Sequence, residues 1–201
     1  MFLGALKTPT EYRLRRDPDT GGTVLFARAQ RSASAMMHPV HVKLVENHRI
    51  AWCWKVASLI EGADNTDRHA EDAPVRIVLA FGGDKTKLGF RDQMFFEQVR
   101  LFTGQEAPYA TLMYIWENHQ PVETVLNNPH TGRVRMLVAE SGPQRTGRWL
   151  RYVRDIRADY IKAFGEEPGP LIGVGVLTDT DNTGQSVEAW YGDINIQTAG
   201  R

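Results

Sequence analysis

The chain of 201 residues is poor in several things that would narrow its role at once. It has one cysteine, Cys53, so no internal disulfide can form; placed inside the apolar run "IAWCWKV", it reads as a small buried hydrophobe. Acidic and basic residues number 24 each, which leaves no global field to draw in a polyanion, and no nucleic-acid partner is expected. No apolar run approaches the roughly 18 residues that cross a bilayer, so no membrane span is expected either. There is no internal repeat, low-complexity stretch or Pro-rich linker, and the chain reads as a single domain over 1–201 with its core at about 10–197.

Signatures of catalysis and nucleotide binding are also missing. Ser141 in "AESGPQ" lacks the Gly-x-Ser-x-Gly elbow, and nothing around Ser32 and Ser34 selects a base. "AFGGDKTKLG" lacks the spacing and the Gly-Lys-Ser/Thr ending of a phosphate loop. Gly173 and Gly175 run into a strand end and turn without opening a helix, so nucleotide binding is excluded. The start "MFLGALKTPTEYRL" has too short an apolar stretch and no basic leader for an intact signal peptide. The expectation is a periplasmic location if a leader has been removed, and a cytoplasmic one otherwise.

What is present is mostly strand signal. Residues 10–30 read as a hairpin through the turn "DPDTGG", and "HVKLVENHRIAWCWKV" as a second hairpin turning at "ENHR". "VRIVLAF", Val75 to Phe81, is a continuous apolar run of strand length, which predicts a strand buried on both faces. "ATLMYIW", "RVRMLVAE", "LIGVGVLT" and "VEAWYGDINIQ" are further strands. Two helices are predicted. One runs through "QMFFEQVRLF", capped by Asp92, with Phe95, Val99 and Phe102 about one turn apart. The other is "GRWLRYVRDIRADYIKAFG", with Trp149, Val153, Ile156, Tyr160 and Ala163 as its apolar stripe and Gly165 as its stop. Without regular strand and helix alternation, the fold class is mainly β: an antiparallel β-sandwich, jelly-roll or galactose-binding-like, with two helical insertions.

"WCWKVASLIEGADNTDRHAEDAPVRIVLAF", "ATLMYIWENH", "RDIRADYIKAFG" and "TDTDNTGQSVEAWYGDI" together resemble a bacterial family known only as domain of unknown function 3047. The resemblance runs from Thr10 to Ile196. It implies a β-sandwich related to galactose-binding or lectin-like folds, often exported from Gram-negative bacteria, and it implies no activity or catalytic residues.

Three groups of residues could carry chemistry. Asp179, Asp181, Thr183 and Gly184 match the first half of a calcium loop, in which alternating oxygens wrap a hard cation. Trp190 stands where the closing carboxylate of an EF-hand would be, so a Ca²⁺ ion would need another ligand, with Asp193 the nearest; the alternative is a hairpin corner with Gly184 at positive φ. The acidic segment "GADNTDRHAEDAPVR" offers Asp64, Asp67 and Asp72 beside Arg76, with Arg148 as a second charge stabiliser; close carboxylates suit acid catalysis, and the alternative is a solvated loop. For a sugar, whose C–H face stacks on aromatics, Trp190 with Asn182 and Trp116 with His119 are the candidates, against the alternative that the tryptophans are core. The resulting expectation is a binding module for a carbohydrate or cell-envelope ligand with a structural calcium site. The alternatives are a glycan-acting hydrolase or lyase and a non-catalytic envelope scaffold. Oligomeric state and the presence of any catalytic activity stay open.

Overall fold

The computed structural model describes residues 7–103, 106–128 and 131–198. In chain order the strands are β1 (Glu11–Arg16), β2 (Thr23–Gln30), β3 (Ala33–Val42), β4 (His48–Val56) and β5 (Arg76–Phe81), followed by the helix α1 (Phe90–Thr103). Then come β6 (Ala110–Glu117), β7 (Val125–Asn127), β8 (Val134–Ser141), β9 (Leu150–Asp155), the helix α2 (Ile156–Phe164), β10 (Leu171–Asp179), β11 (Ser186–Tyr191) and β12 (Asn195–Thr198). They form two six-stranded sheets, a β-sandwich with two helices as the periodicity predicts. The first sheet runs β1-β2-β11-β4-β12 with β9 on the other edge of β4; the second runs β3-β10-β5-β6-β8-β7. All pairings are antiparallel except β6 with β8.

One apolar cluster fills the space between the sheets. Ile50, Trp52, Trp54 and Val56 of β4 face Ile77, Leu79 and Phe81 of β5 and Leu112, Tyr114 and Trp116 of β6, each spaced two residues apart as a strand requires. Trp52 stacks between Tyr114, 4.7 Å away, and Tyr152, 5.2 Å away, so one indole ties β6 to β9 across the sandwich. Among the described residues no helix is long and apolar enough to cross a membrane.

The first predicted hairpin forms as expected: β1 and β2 pair from Glu11 opposite Arg28 to Arg16 opposite Thr23. The second does not. β3 pairs with β10 in one sheet, and β4 pairs with β9, β11 and β12 in the other. A strand that faces the interior from above has the same alternation as one that faces it from below, so the pattern alone cannot separate a hairpin from a crossover. The segment "GRWLRYVRDIRADYIKAFG" also differs from the single helix expected. Its first part is β9, laid along β4, where Leu150 is buried and Val153 is 51% exposed. Helix α2 begins only at Ile156, where the Asp155 carboxylate accepts from the Ala158 N–H as an N-cap, and it ends at Gly165 in the left-handed region (φ 72°). Helix α1 starts two residues before Asp92, whose carboxylate takes the Thr131 hydroxyl at 2.9 Å instead of capping the helix. The side chain of Phe102 lies outside the described residues.

Candidate functional site

Strand β5 is buried along its whole length. Its inward side meets the core; its outward side forms part of the floor of a cleft of about 880 Å³ on the outer face of the second sheet. The floor comes from outward-pointing residues of neighbouring strands: Val78 and Ala80 of β5, Thr111 and Met113 of β6, Gly173 and Leu177 of β10. Phe95 and Phe96 of α1 lie along the cleft, and Tyr109 and Ile172 add apolar surface at one end. Gly173 keeps this floor low. A Cβ there would come within 3.4 Å of both the Ala80 methyl and the Met37 Cε, and any larger side chain would stand in the cleft. Glycine inside a strand weakens it and marks a place where something approaches the backbone closely. Gly83 serves the wall in a similar way, since the Tyr109 ring lies where its Cβ would be.

The cations on the cleft are each matched. At the end near β7, Arg76 forks onto Asp179, Nε to Oδ1 and Nη2 to Oδ2, both at 3.1 Å, and lies 3.7 Å from Glu71 Oε1. Glu71 in turn accepts from Asn128 Nδ2 at 3.1 Å. Lys7 pairs with Asp181 at 2.5 Å. At the other end Arg133 donates to Glu166 Oε1 at 2.6 Å and lies 4.1 Å from the Tyr109 ring centre, while Lys85 pairs with Glu106 at 3.3 Å. Arg76 is 1% exposed, so its pairing with Asp179 is needed to keep its charge inside the protein. Burial pushes the Asp179 carboxyl up, Arg76 pulls it down and the nearby Asp72 pushes it up again, leaving it at about 6.

The sequence-predicted residues divide between this end of the cleft and places remote from it. Asp72, Asp179 and Asp181 converge, each offering an oxygen within 4.8 Å of the others. Asp193 is not in that group; it lies beside Cys53 and Arg151 on the first sheet. The donor set fits a calcium cage poorly. Asp72 accepts from the N–H groups of Asn182 and Thr183 and from the Thr183 hydroxyl, so Thr183 serves Asp72 and its oxygen is not set toward an ion. Asp179 is held by Arg76 and the Ala73 N–H, and of the three carboxylates only Asp181 has a buried oxygen, Oδ1, without a partner. The segment is a corner in which Gly184 has φ 71°, and its carboxylates knit two loops together.

Asp64 and Asp67 cap their own loop, accepting from Thr66 and from the His69 N–H respectively, and Arg148 is exposed and away from the cleft. The expected catalytic cluster therefore reduces to Asp72 and Arg76, both used structurally. Trp116 is a correction: it is fully buried, its indole N–H donating to the Gly142 carbonyl at 3.0 Å, because the inward side of β6 is core. His119 is exposed in the loop after β6, away from the cleft. Trp190 is on the outer side of the first sheet, packed against Phe26 at 5.5 Å with the Lys55 ammonium 4.8 Å from its ring. Of the four expected ligand contacts only Asn182 lines the cleft. Thr111, Met113, Tyr109 and Arg133 line it and belong to no motif; Gly173, read in the sequence only as part of a failed nucleotide loop, is a glycine inside an apolar strand and so a signal that could have found it.

A family model described as a protein of unknown function (DUF3047) matches residues 2–195. The chain belongs to the DUF3047 family. In this DUF3047 chain the matched span includes every strand that floors the cleft. No curated protein sequence matches it. Among solved structures it is similar to the xyloglucanase domain of NopAA, a type three effector from Sinorhizobium fredii, in complex with cellobiose, at 8% identity and a TM-score of 0.47, covering 98% of this chain and 91% of that one.

Proposed function

We propose that this DUF3047 protein is a binding module whose ligand, a carbohydrate or another cell-envelope molecule, lies in the cleft on the outer face of the second sheet. The observation that supports this reading most is the cleft itself: about 880 Å³, within the range of small-molecule sites, with a mainly apolar floor kept low at Gly173 and polar groups at both ends. Tyr109, Phe95 and Phe96 supply aromatic surface along the cleft, and Asn182, Asn128, Glu71 and Thr111 place polar groups on it. A ligand that binds only the folded protein raises its melting temperature. Thermal shift against a panel of oligosaccharides and envelope lipids, repeated with Gly173→Leu, tests the reading. A shift seen in the wild type and lost in the variant supports it, and no shift with any ligand removes it.

A structural calcium ion would have to displace Lys7 and gather round Asp181, so Ca²⁺ and EDTA arms belong in the same series. Of the residues expected for a hydrolase or lyase only Arg76 lines the cleft, and the carboxylates beside it there are two that were not expected to act, Glu71 and Asp179. Both Asp179 oxygens are engaged by Arg76, which is why binding is preferred to catalysis. Turnover of any glycan that Asp179→Asn abolishes would reverse that preference.

A further inference from the structure

We infer that the ligand of this cleft is an uncharged amphiphile with an aliphatic body, such as a neutral acyl or alkyl lipid with a small hydroxylated head. The inference rests on the binding reading above and names the ligand class for the same site.

Two observations carry it. The first is the lining between the two polar ends. Met37, Val78, Ala80, Met113, Ile172 and Leu177 present methyl and thioether groups, with no amide, carboxylate or guanidinium among them. A sugar lying here would find little beyond the Thr111 hydroxyl and His38 for its many hydroxyls, and each one left unpaired would cost a few kcal/mol. A hydrocarbon chain loses nothing of the kind and gains about 0.8 kcal/mol for each CH₂ removed from water. Flexible methionines such as Met37 and Met113 adapt to chains of differing shape.

The second is the charge pattern. Each Lys and Arg on the cleft already has a carboxylate partner: Lys7 with Asp181, Arg76 with Asp179 and Glu71, Lys85 with Glu106, and Arg133 with Glu166. A ligand carboxylate or phosphate would have to compete with the carboxylate already on each cation, and at Arg76 it would leave Asp179 buried without its partner. A cation would meet carboxylates whose charge is already satisfied. Neutral hydroxyl or ester oxygens need neither, and can exchange hydrogen bonds with Thr111, Asn182 and the Tyr109 hydroxyl, all of which line the cleft. The head group then sits at a polar end and the chain runs over Gly173 and Ala80 beside Phe95 and Phe96.

The test is calorimetric titration and thermal shift of the whole protein with three probes: monolauroylglycerol, dodecanoate and maltose, the lipids kept below their aggregation concentrations. Monolauroylglycerol is expected to bind and raise the melting temperature, dodecanoate to bind at least roughly tenfold more weakly because its charge is left unpaired, and maltose not to bind. Gly173→Leu, and independently Ala35→Leu on the edge strand, should each abolish the lipid response; the second keeps the test valid if the first fails to fold. Dodecanoate binding as tightly as the neutral lipid would overturn the inference. Lipid binding that survives in both variants would overturn it too, since the lipid would be adhering elsewhere. Maltose binding without lipid binding would overturn the ligand class and leave the binding module standing, whereas failure of all ligands, including the wider panel, removes both.

Discussion

Arg76 opens β5 and Asp179 closes β10, and their side chains meet as a two-pronged ion pair in a place where Arg76 is almost wholly enclosed. The pair joins the sheet to the loop carrying Glu71 and Asp72, because Arg76 also donates to the Glu71 carbonyl at 3.0 Å and Asp179 accepts from the Ala73 N–H at 3.0 Å.

Breaking such a pair on one side strands a buried charge. Arg76→Met alone, which leaves the Asp179 carboxylate buried without its partner, should lower stability at pH 7 by about 3–5 kcal/mol, and Asp179→Asn by less, because the folded protein already favours the neutral carboxyl more than the unfolded chain does. The double variant should cost clearly less than the two summed, a coupling read from urea unfolding midpoints. Additive losses would mean that the fork contributes little.

Acid titration should show two limbs of opposite sign. Asp179 has its folded pKa raised from 3.8 to about 6, so the folded state holds a proton that the unfolded state has released, and stability falls as pH rises from 3.8 to about 6. Asp17 behaves oppositely. Burial pushes its carboxyl up, but hydrogen bonds from Lys55, the Thr20 N–H and Trp149 outweigh this and bring it from 3.8 to about 2, so its contribution is lost as pH falls through that window. Of these two opposed contributions Asp179→Asn should remove the upper limb alone, read as the difference in stability from the wild type between pH 3.8 and about 6. An unchanged upper limb in that variant would assign it to another group.

Asp155 ends β9 and starts α2 in a single residue, its carboxylate accepting from the Ala158 N–H at 2.9 Å. Asp155→Ala should cost about 1 kcal/mol in urea unfolding, while Asp155→Ser or Asp155→Asn should recover most of the loss.

Cys53 is half-buried on β4, with Gly192 so close that a Cβ on it would lie 2.3 Å from Sγ. Burial pushes the thiol above its usual 9.0; Arg151 lowers it and Asp193 raises it. Iodoacetamide should label it more slowly than a free small thiol at pH 8, with the rate still climbing above pH 9 and rising sharply in urea. Rapid labelling of the folded protein would contradict this.

How far the sequence reaches depends on whether a feature is local. The burial of β5 on both faces was legible because an unbroken apolar run has no solvent side, and the Gly165 stop was legible because it needs only its own helix. The boundary between β9 and α2 was not. Trp149, Val153 and Ile156 fit a helical period while Leu150 and Tyr152 fit a strand, and the decision came from β4, which offers a free edge about a hundred residues earlier in the chain. The same applies to the acidic corner. Asp179 and Asp181 stood out as a possible loop for an ion, yet what meets them is Asp72, with Arg76 from the adjacent strand, and those partners turn a ligand-like spacing into a structural knot. The cleft itself had no motif because its floor is aliphatic and contributed by several strands.

The pairing of β2 with β11 and of β3 with β10 has a consequence for how the molecule comes to be made. Emerging from the ribosome, β2 and β3 cannot complete their ladders until the segment from Leu171 to Tyr191 has been synthesised, so the nascent protein carries open strand edges for most of its translation. Such long-range closure slows folding and exposes sticky surface meanwhile. The arginines of β1, Arg13, Arg15 and Arg16, line the edge of the first sheet and keep it charged during that wait.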